Sequence, residues 1–259
     1  MKNLLIIVVL MLFSITAIAQ EKLYLIFEFM KVDNTQETAY AETEALWEKI
    51  HQQRVKNGDI IGWDLWSLAP GGEDQGYQYM TVTVFNDPLK MFKGGDFMGA
   101  VKAAYPGMSD AELTKKFEGT SQSRDLAVRI YAQEIDATKG EFEMPLGTVA
   151  SIDMMKVALE NYGKYEKAES EIFKPLHQKA VDAGAKGNWG LIRFMSPIGS
   201  DTYASHMTVN MYKDYEQMLN QNINFEGAAT PAQTKAMQEG LAARDMKYVY
   251  IGNLIRKVR

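Results

Sequence analysis

The sequence predicts an α+β protein in which one βαββαβ unit is used twice in tandem. Three observations carry this. An ordered set of residues recurs at a nearly constant offset. Each copy switches between strand and helix periodicity in the same order. Only a short polar linker separates the copies.

The recurrence is specific. Phe29-Met30-Lys31-Val32 lies over Met154-Met155-Lys156-Val157, an offset of 125. His51-Gln52, Gly58, Trp63 and Leu65 meet His177-Gln178, Gly184, Trp189 and Leu191 at offset 126. Pro70-x-Gly72-x-Asp74 and Met80-Thr81-Val82 meet Pro197-x-Gly199-x-Asp201 and Met207-Thr208-Val209 at offset 127, as does Asp87 with Asp214. Arg124-Asp125 and Ile135 then match Arg244-Asp245 and Ile255. The first copy therefore carries about seven extra residues between Asp87 and Arg124, which we place in the segment Gly94 to Met108.

The elements follow in order. Leu23 to Val32 alternates large apolar residues and reads as a strand. Thr35 to Asn57 has Ala39, Thr43, Leu46, Trp47, Ile50 and Arg54 at helical spacing, with Gly58 as its stop. Ile60 to Ala69 and Tyr77 to Phe85 form a hairpin across a Pro-Gly-Gly turn. Asp110 to Ser123 is a helix capped by Ser109, and Arg124 to Ile135 is the last strand. The second copy runs Gly147 to Val157, Glu160 to Ala183, Trp189 to Ser196, Tyr203 to Tyr212, Pro231 to Ala243 and Arg244 to Ile255. The units are thus 20–136 and 146–259, joined by a linker at 137–145 with Gly140 and little apolar character.

This order is the split-βαβ, ferredoxin-like unit. Its sheet carries both helices on one face and leaves a bulky second face that must be covered. Two units in one chain can cover each other, sheet to sheet. In this the chain resembles the dimeric α+β barrel superfamily with its two protomers fused. That group takes in antibiotic-biosynthesis monooxygenase-like, EthD-like and NIPSNAP-like domains and the chlorite dismutases. The resemblance rests on element order and repetition. It implies a shared barrel and carries no reaction with it.

Residues 1–19 read as a secretory signal: Lys2, an aliphatic run from Leu4 to Phe13, and Ala17-Ile18-Ala19 before Gln20. The run is shorter than the roughly 20 residues that span a bilayer. The expectation is a secreted or periplasmic protein, cleaved after Ala19, without a membrane partner. Loss of Lys2 leaves 27 basic against 33 acidic side chains, a net charge of −6. A mildly acidic chain without basic runs is a poor nucleic-acid binder. The absence of cysteine excludes disulfides, thiol nucleophiles and Cys-ligated metals. No P-loop, G-x-S-x-G, G-x-G-x-x-G or H-E-x-x-H pattern occurs, and three histidines do not make a His-rich metal site.

Residues kept in both copies are the candidates. His51 and His177 lie late in the first helix of each unit, at the edge of its apolar stripe. Each reads as a general base or haem ligand, or as a half-buried imidazole favoured by the helix C-terminus. Glu28 and Asp153 are equivalent in the first strand. Alternation puts Leu25, Phe27 and Phe29 on one face, assigned to the helices, and Tyr24, Glu28 and Met30 on the other. Tyr79, Thr81 and Thr83 share a face of the third strand, matched by His206, Thr208 and Asn210. Such a polar set lines a ligand site or fixes strand register. Trp63 and Trp189 read as core anchors that could also wall a pocket. The Arg-Asp pairs read as salt-bridged or solvated starts of strands, and Lys31 and Lys156 as solvated strand ends. Three functions remain open: a binding protein holding a small apolar or amphipathic molecule against Trp, Met and Tyr; a monooxygenase-like enzyme using His51 or His177 as base toward a polyaromatic or similar substrate; and haem binding through a helix histidine.

Overall fold

The computed structural model describes residues 22–72, 76–220 and 230–259. The signal segment at 1–19 and Asp74 of the first turn motif lie outside the described residues. Eight antiparallel strands close into one barrel in the order β1-β3-β2-β8-β5-β7-β6-β4. They are β1 (Tyr24–Lys31), β2 (Gly62–Ala69), β3 (Tyr79–Phe85), β4 (Asp125–Ala137), β5 (Val149–Val157), β6 (Asn188–Ser196), β7 (His206–Tyr212) and β8 (Arg244–Val258). Around the ring this reads 4-1-3-2 and then 8-5-7-6, the same strand order in each half.

Closure comes from the last strand of each half. β4 pairs β1 over Asp125 to Gln133 and then crosses to β6, from Tyr131↔Ser196 to Ala137↔Gly190. β8 likewise leaves β5 for β2, from Ala69↔Ile251 to Trp63↔Val258. Both strands therefore outrun the Ile135 and Ile255 endpoints that pattern suggested. The extra residues carry the two seams and remove the sheet edges that would otherwise stand unpaired.

Phe27, Phe29, Trp66, Leu68, Met80, Val82, Ile130, Ile152, Met154, Phe194, Met207 and Leu254 meet inside the barrel. Each such side chain contributes about 1.5–3 kcal/mol by leaving water. This corrects the assignment of faces. Leu25, Phe27 and Phe29 point into the barrel, while Met30, Tyr40, Trp63, Leu65 and Phe85 pack with Tyr24 and Ile26 under the first helix. Both sheet faces are covered, so alternation separates the two sets without saying which is central. The polar set on β1 and β3 thus lies between helix and sheet.

α1 (Glu37–Lys56) crosses the first half and buries Tyr40, Glu44, Leu46, Ile50, His51 and Arg54. The segment from Gly94 to Met108 is helical in part. After the short α2 (Pro88–Lys93), α3 (Phe97–Ala104) lays Ala100 and Val101 against Leu46 and Ile50 of α1. α4 (Asp110–Thr120) begins at Ser109 with a full capping box to Glu112.

The expected second-half helix is not continuous. It opens with a 3-10 turn (Leu159–Asn161), then α5 (Tyr162–Ala168), a π turn (Glu169–Phe173) and α6 (Lys174–Asp182). Pro175 accounts for the break: it has no N–H to donate and its ring crowds the carbonyl four residues earlier, at Glu171. α7 (Tyr215–Leu219) and α8 (Pro231–Ala242) complete the order. Among the described residues no helix is long and apolar enough to cross a membrane.

Candidate functional site

A cleft of about 320 Å³ opens between α1 and the sheet of the first half. Its floor is the outward face of β1, β3 and β4, its roof is α1, and its rim is the segment from Met91 to Phe97. The end of α2 and the turn into α3 therefore build the outer wall. Gly94 ends α2 in the left-handed region (φ 80°), and its carbonyl accepts from Arg54 Nη2 at 3.2 Å, which ties rim to roof.

The floor is charged. Arg129 grips Glu28 Oε1 through Nη2 at 2.6 Å and Nε at 2.8 Å, and Thr81 Oγ1 donates to Glu28 Oε2 at 3.2 Å. Glu44 hangs from the roof and is 1% exposed. Arg124 Nε stands 3.7 Å from its Oε1, at ion-pair range and beyond hydrogen-bond range. Glu44 Oε1, Trp47 Nε1 and Arg54 Nε have no hydrogen-bond partner among the described residues. All three residues line the cleft. Burial pushes the Glu44 carboxyl up to about 7, against the opposing pull of Arg124.

His51 lines the same cleft and is 7% exposed. Its ring stacks on Trp63, centroids 5.0 Å apart at 17°. Its Nδ1 lies 3.4 Å from Arg54 Nη1. Burial, reinforced by the Arg54 cation, holds the imidazole down to about 3, so it is neutral near neutral pH. A guanidinium can only donate. Nδ1 must therefore accept, which leaves the proton on Nε2.

In the second half the candidates occupy the corresponding layer. The His177 ring stacks on Trp189 at 5.1 Å and 15°, and its Nδ1 is 2.9 Å from Lys186 Nζ. Lys186 also donates to Asn210 Oδ1 at 2.6 Å. Asp153 accepts from Ser151, Thr208 and Asn210. His206 bonds Ser205 Oγ through Nδ1 and Glu166 Oε1 through Nε2, each at 3.0 Å, while Arg193 Nη1 donates to the same Oε1 at 3.1 Å. These groups satisfy one another. None of the four cavities described below or above is lined by His177, Asp153, Trp189, His206 or Thr208.

The structure thus gathers Glu28, Trp63, Thr81 and His51 in one cleft. It sets Tyr79 apart, in a separate recess with Tyr40 and Glu37, where its hydroxyl donates to the Glu37 carboxylate. Three lining residues were not singled out from sequence: Glu44, Arg54 and Arg129. Glu44 had a signal. Tyr40 and Glu44 recur as Tyr165 and Glu169 at offset 125, and Arg124 recurs as Arg244. Glu169 is 5% exposed and burial pushes its carboxyl, too, up to about 7. Lys156, expected to be solvated, donates to the carbonyls of Gly199 and Thr202, each at 2.7 Å, across the second hairpin turn.

Haem needs apolar walls for both faces of its macrocycle and a ligand nitrogen presented edge-on. The cleft offers Glu28, Glu44, Arg54, Arg124 and Arg129 around a histidine that lies flat on Trp63. This lining does not suit the group. Among the described residues no cluster of His, Asp and Glu has the geometry of a metal site.

No family model and no curated protein matches the chain. Solved structures do. A provisionally assigned monooxygenase from Fusobacterium nucleatum superposes with a TM-score of 0.54 at 14% identity, covering 92% of this chain and 94% of the other. An anthrone oxidase-like protein gives 0.53 at 9% identity, covering 92% and 93%. A provisionally assigned chlorite dismutase gives 0.50 at 10% identity, covering 92% and 96%. These similarities establish the dimeric α+β barrel fold for the chain.

Proposed function

We propose that the chain is an enzyme whose site is the cleft beneath α1, with Glu44 as the group that exchanges a proton with substrate. The observation that carries this is a nearly fully buried carboxyl, short of a hydrogen bond, facing a cavity and poised to titrate near neutral pH. Its role follows from its surroundings. Deprotonated Glu44 removes a proton from an acidic phenol or enol. Arg124 and the unsatisfied Nε of Arg54 hold the oxyanion that forms. His51 contributes a hydrogen bond from Nε2 and orients the substrate against Trp47 and Trp63. His51 acts here as a donor, since an imidazole held near 3 is too weak a base to take that proton.

The reaction class we favour is oxidation of such an anion by dioxygen, in keeping with the names of the monooxygenase and anthrone oxidase-like neighbours. For an anthrone, whose enolate forms by loss of a ring-methylene proton, that carbon becomes a carbonyl with one oxygen atom and the other oxygen leaves as water with the two hydrogens. The test is oxygen uptake with a panel of anthrones and hydroquinones, against protein-free solution. The expected result is uptake with at least one compound and a loss of about a hundredfold or more in Glu44→Gln. No uptake with any compound, or equal uptake by the variant, would overturn the reading. Haem binding is the rival within this fold. A Soret band on haemin titration that survives Glu44→Gln and vanishes in His51→Ala would favour it instead.

The reading also takes the two halves as tandem copies and the chain as secreted. The in-order sequence matches and the shared 4-1-3-2 strand order support the first; the N-terminal segment supports the second. In this view one copy kept an open cleft and the other filled it.

A further inference from the structure

The barrel interior is packed at its middle and open at its ends. One end is a recess of about 300 Å³ lined by apolar side chains together with Asp64, Glu134 and Arg259. The other is a cavity of about 480 Å³, within the size range of small-molecule sites. It shares no residue with the α1 cleft. Six aromatic rings stand in its walls, Phe29, Tyr77, Phe194, Tyr203, Tyr248 and Tyr250, alongside Val128, Ile130 and Met154. Four of the rings form a tilted array, with Phe29–Tyr77 centroids 5.2 Å apart, Phe29–Tyr250 6.1 Å and Tyr248–Tyr250 4.5 Å. The backbone makes room for it. Gly76 sits at φ +122°, and a Cβ there would stand 2.8 Å from the Tyr250 hydroxyl. Tyr203 is 55% exposed at the mouth, and Lys31 supplies an exposed cation on the lining.

From this geometry we infer a second ligand site, in the barrel mouth, for a flat aromatic acid of one or two rings. Ring faces accept a planar π-system in offset or edge-on contact. Phenolic hydroxyls around the rim accept or donate to ring substituents. Lys31 selects an anion over a cation. This site stands whether or not the α1 cleft is catalytic.

Isothermal titration with 2-naphthoate tests it on the mature chain. One molecule should bind per chain. Ala204 is 3% exposed and lines the cavity, so Ala204→Phe fills it from within. We expect that variant to lose binding by about tenfold or more while keeping the wild-type circular dichroism spectrum. Should it fail to fold, Tyr203→Ala at the exposed mouth is the substitute and should weaken binding in the same direction. Lys31→Ala should weaken naphthoate by about two- to fivefold, as expected for a screened ion pair, and leave 2-naphthalenemethanol unchanged. Glu44→Gln should leave naphthoate binding intact, which separates this site from the cleft. Unaltered binding in both Ala204→Phe and Tyr203→Ala, tighter binding of decanoate than of naphthoate, or loss of binding in Glu44→Gln would overturn the inference.

Discussion

Glu44→Gln should make the protein more stable at pH 8 and leave it nearly unchanged at pH 4.5. The carboxyl titrates near 4.5 in the unfolded chain and near 7 in the fold, because burial disfavours its charge. Between those values the native state holds the proton more firmly than the unfolded state does. Stability therefore falls as pH rises through that window. At about 1.4 kcal/mol per pH unit, the full window is worth about 3 kcal/mol. Glutamine has the shape of the protonated acid and never meets this penalty. For a chain of this size the gain corresponds to a rise of about 6–12 °C in melting temperature at pH 8. The assay must compare variant with wild type at each pH, since the buried histidines push the absolute curve the other way. Paired calorimetric scans from pH 4.5 to 8 give the difference directly. A variant less stable than wild type at pH 8, or a difference independent of pH, would refute the reasoning. In the first case Glu44 would be acting as a structural ion-pair partner of Arg124. A more stable and less active variant is the signature of a group held against its own solvation for function.

Three further outcomes follow. Burial and a neighbouring cation hold both His51 and His177 down to about 3; native stability should thus fall as pH drops from 6.5 toward 3, and His51→Asn with His177→Asn should flatten that acid limb in denaturant melts. Arg259 closes the β2–β8 seam by a two-pronged pair with Asp64, at 2.8 and 3.0 Å; Asp64 is 3% exposed, so Arg259→Ala should cost about 3 kcal/mol, read as a shift in the urea midpoint. Trp66 packs inside the barrel at 3% exposure with its ring 3.2 Å from where a Cβ on Gly252 would stand, so Trp66→Ala should lose about 3–5 kcal/mol in the same assay.

Much of the barrel was legible because its parts are local. Strand alternation, the Ser109 cap and the hairpin turns depend on neighbours a few residues away. What was not legible depends on distance. The crossing of β4 and β8 into the opposite sheet is decided by which edges meet, and Ile130 and Ala132 alternate no differently from any buried strand. The inside and outside of the sheet were exchanged for a related reason. Phe27 and Phe29 are apolar, but so are Ile26 and Met30, and only the closed ring decides which set is central. Glu44 was missed because it falls in the apolar stripe of a helix, where an acid reads as an exposed interruption. Its recurrence as Glu169 four residues after a recurring tyrosine was present in the sequence. Recurrence alone, however, would have given both acids one meaning.

The two halves differ in what surrounds those equivalent acids. In the second half Lys186 reaches His177 and Asn210, and Glu166 ties Arg193 to His206. At the register of Lys186 the first half has Ile60, and at that of Glu166 it has Ala41. Arg54 takes over the cation at the imidazole, but from α1 itself, with one nitrogen left unsatisfied. α3 packs against α1 behind the rim of the cleft. The second half also holds unpartnered groups, the Tyr165 hydroxyl and Arg244 Nε, but neither lines one of the four cavities. A layer with an unpartnered carboxylate oxygen, an indole N–H and a guanidinium N–H around a cavity gains most by binding a ligand. By this argument the segment from Gly94 to Phe97 at the rim and Ile60 at the register of Lys186 belong together. The first removes the cleft from bulk water, and the second leaves room within it for substrate.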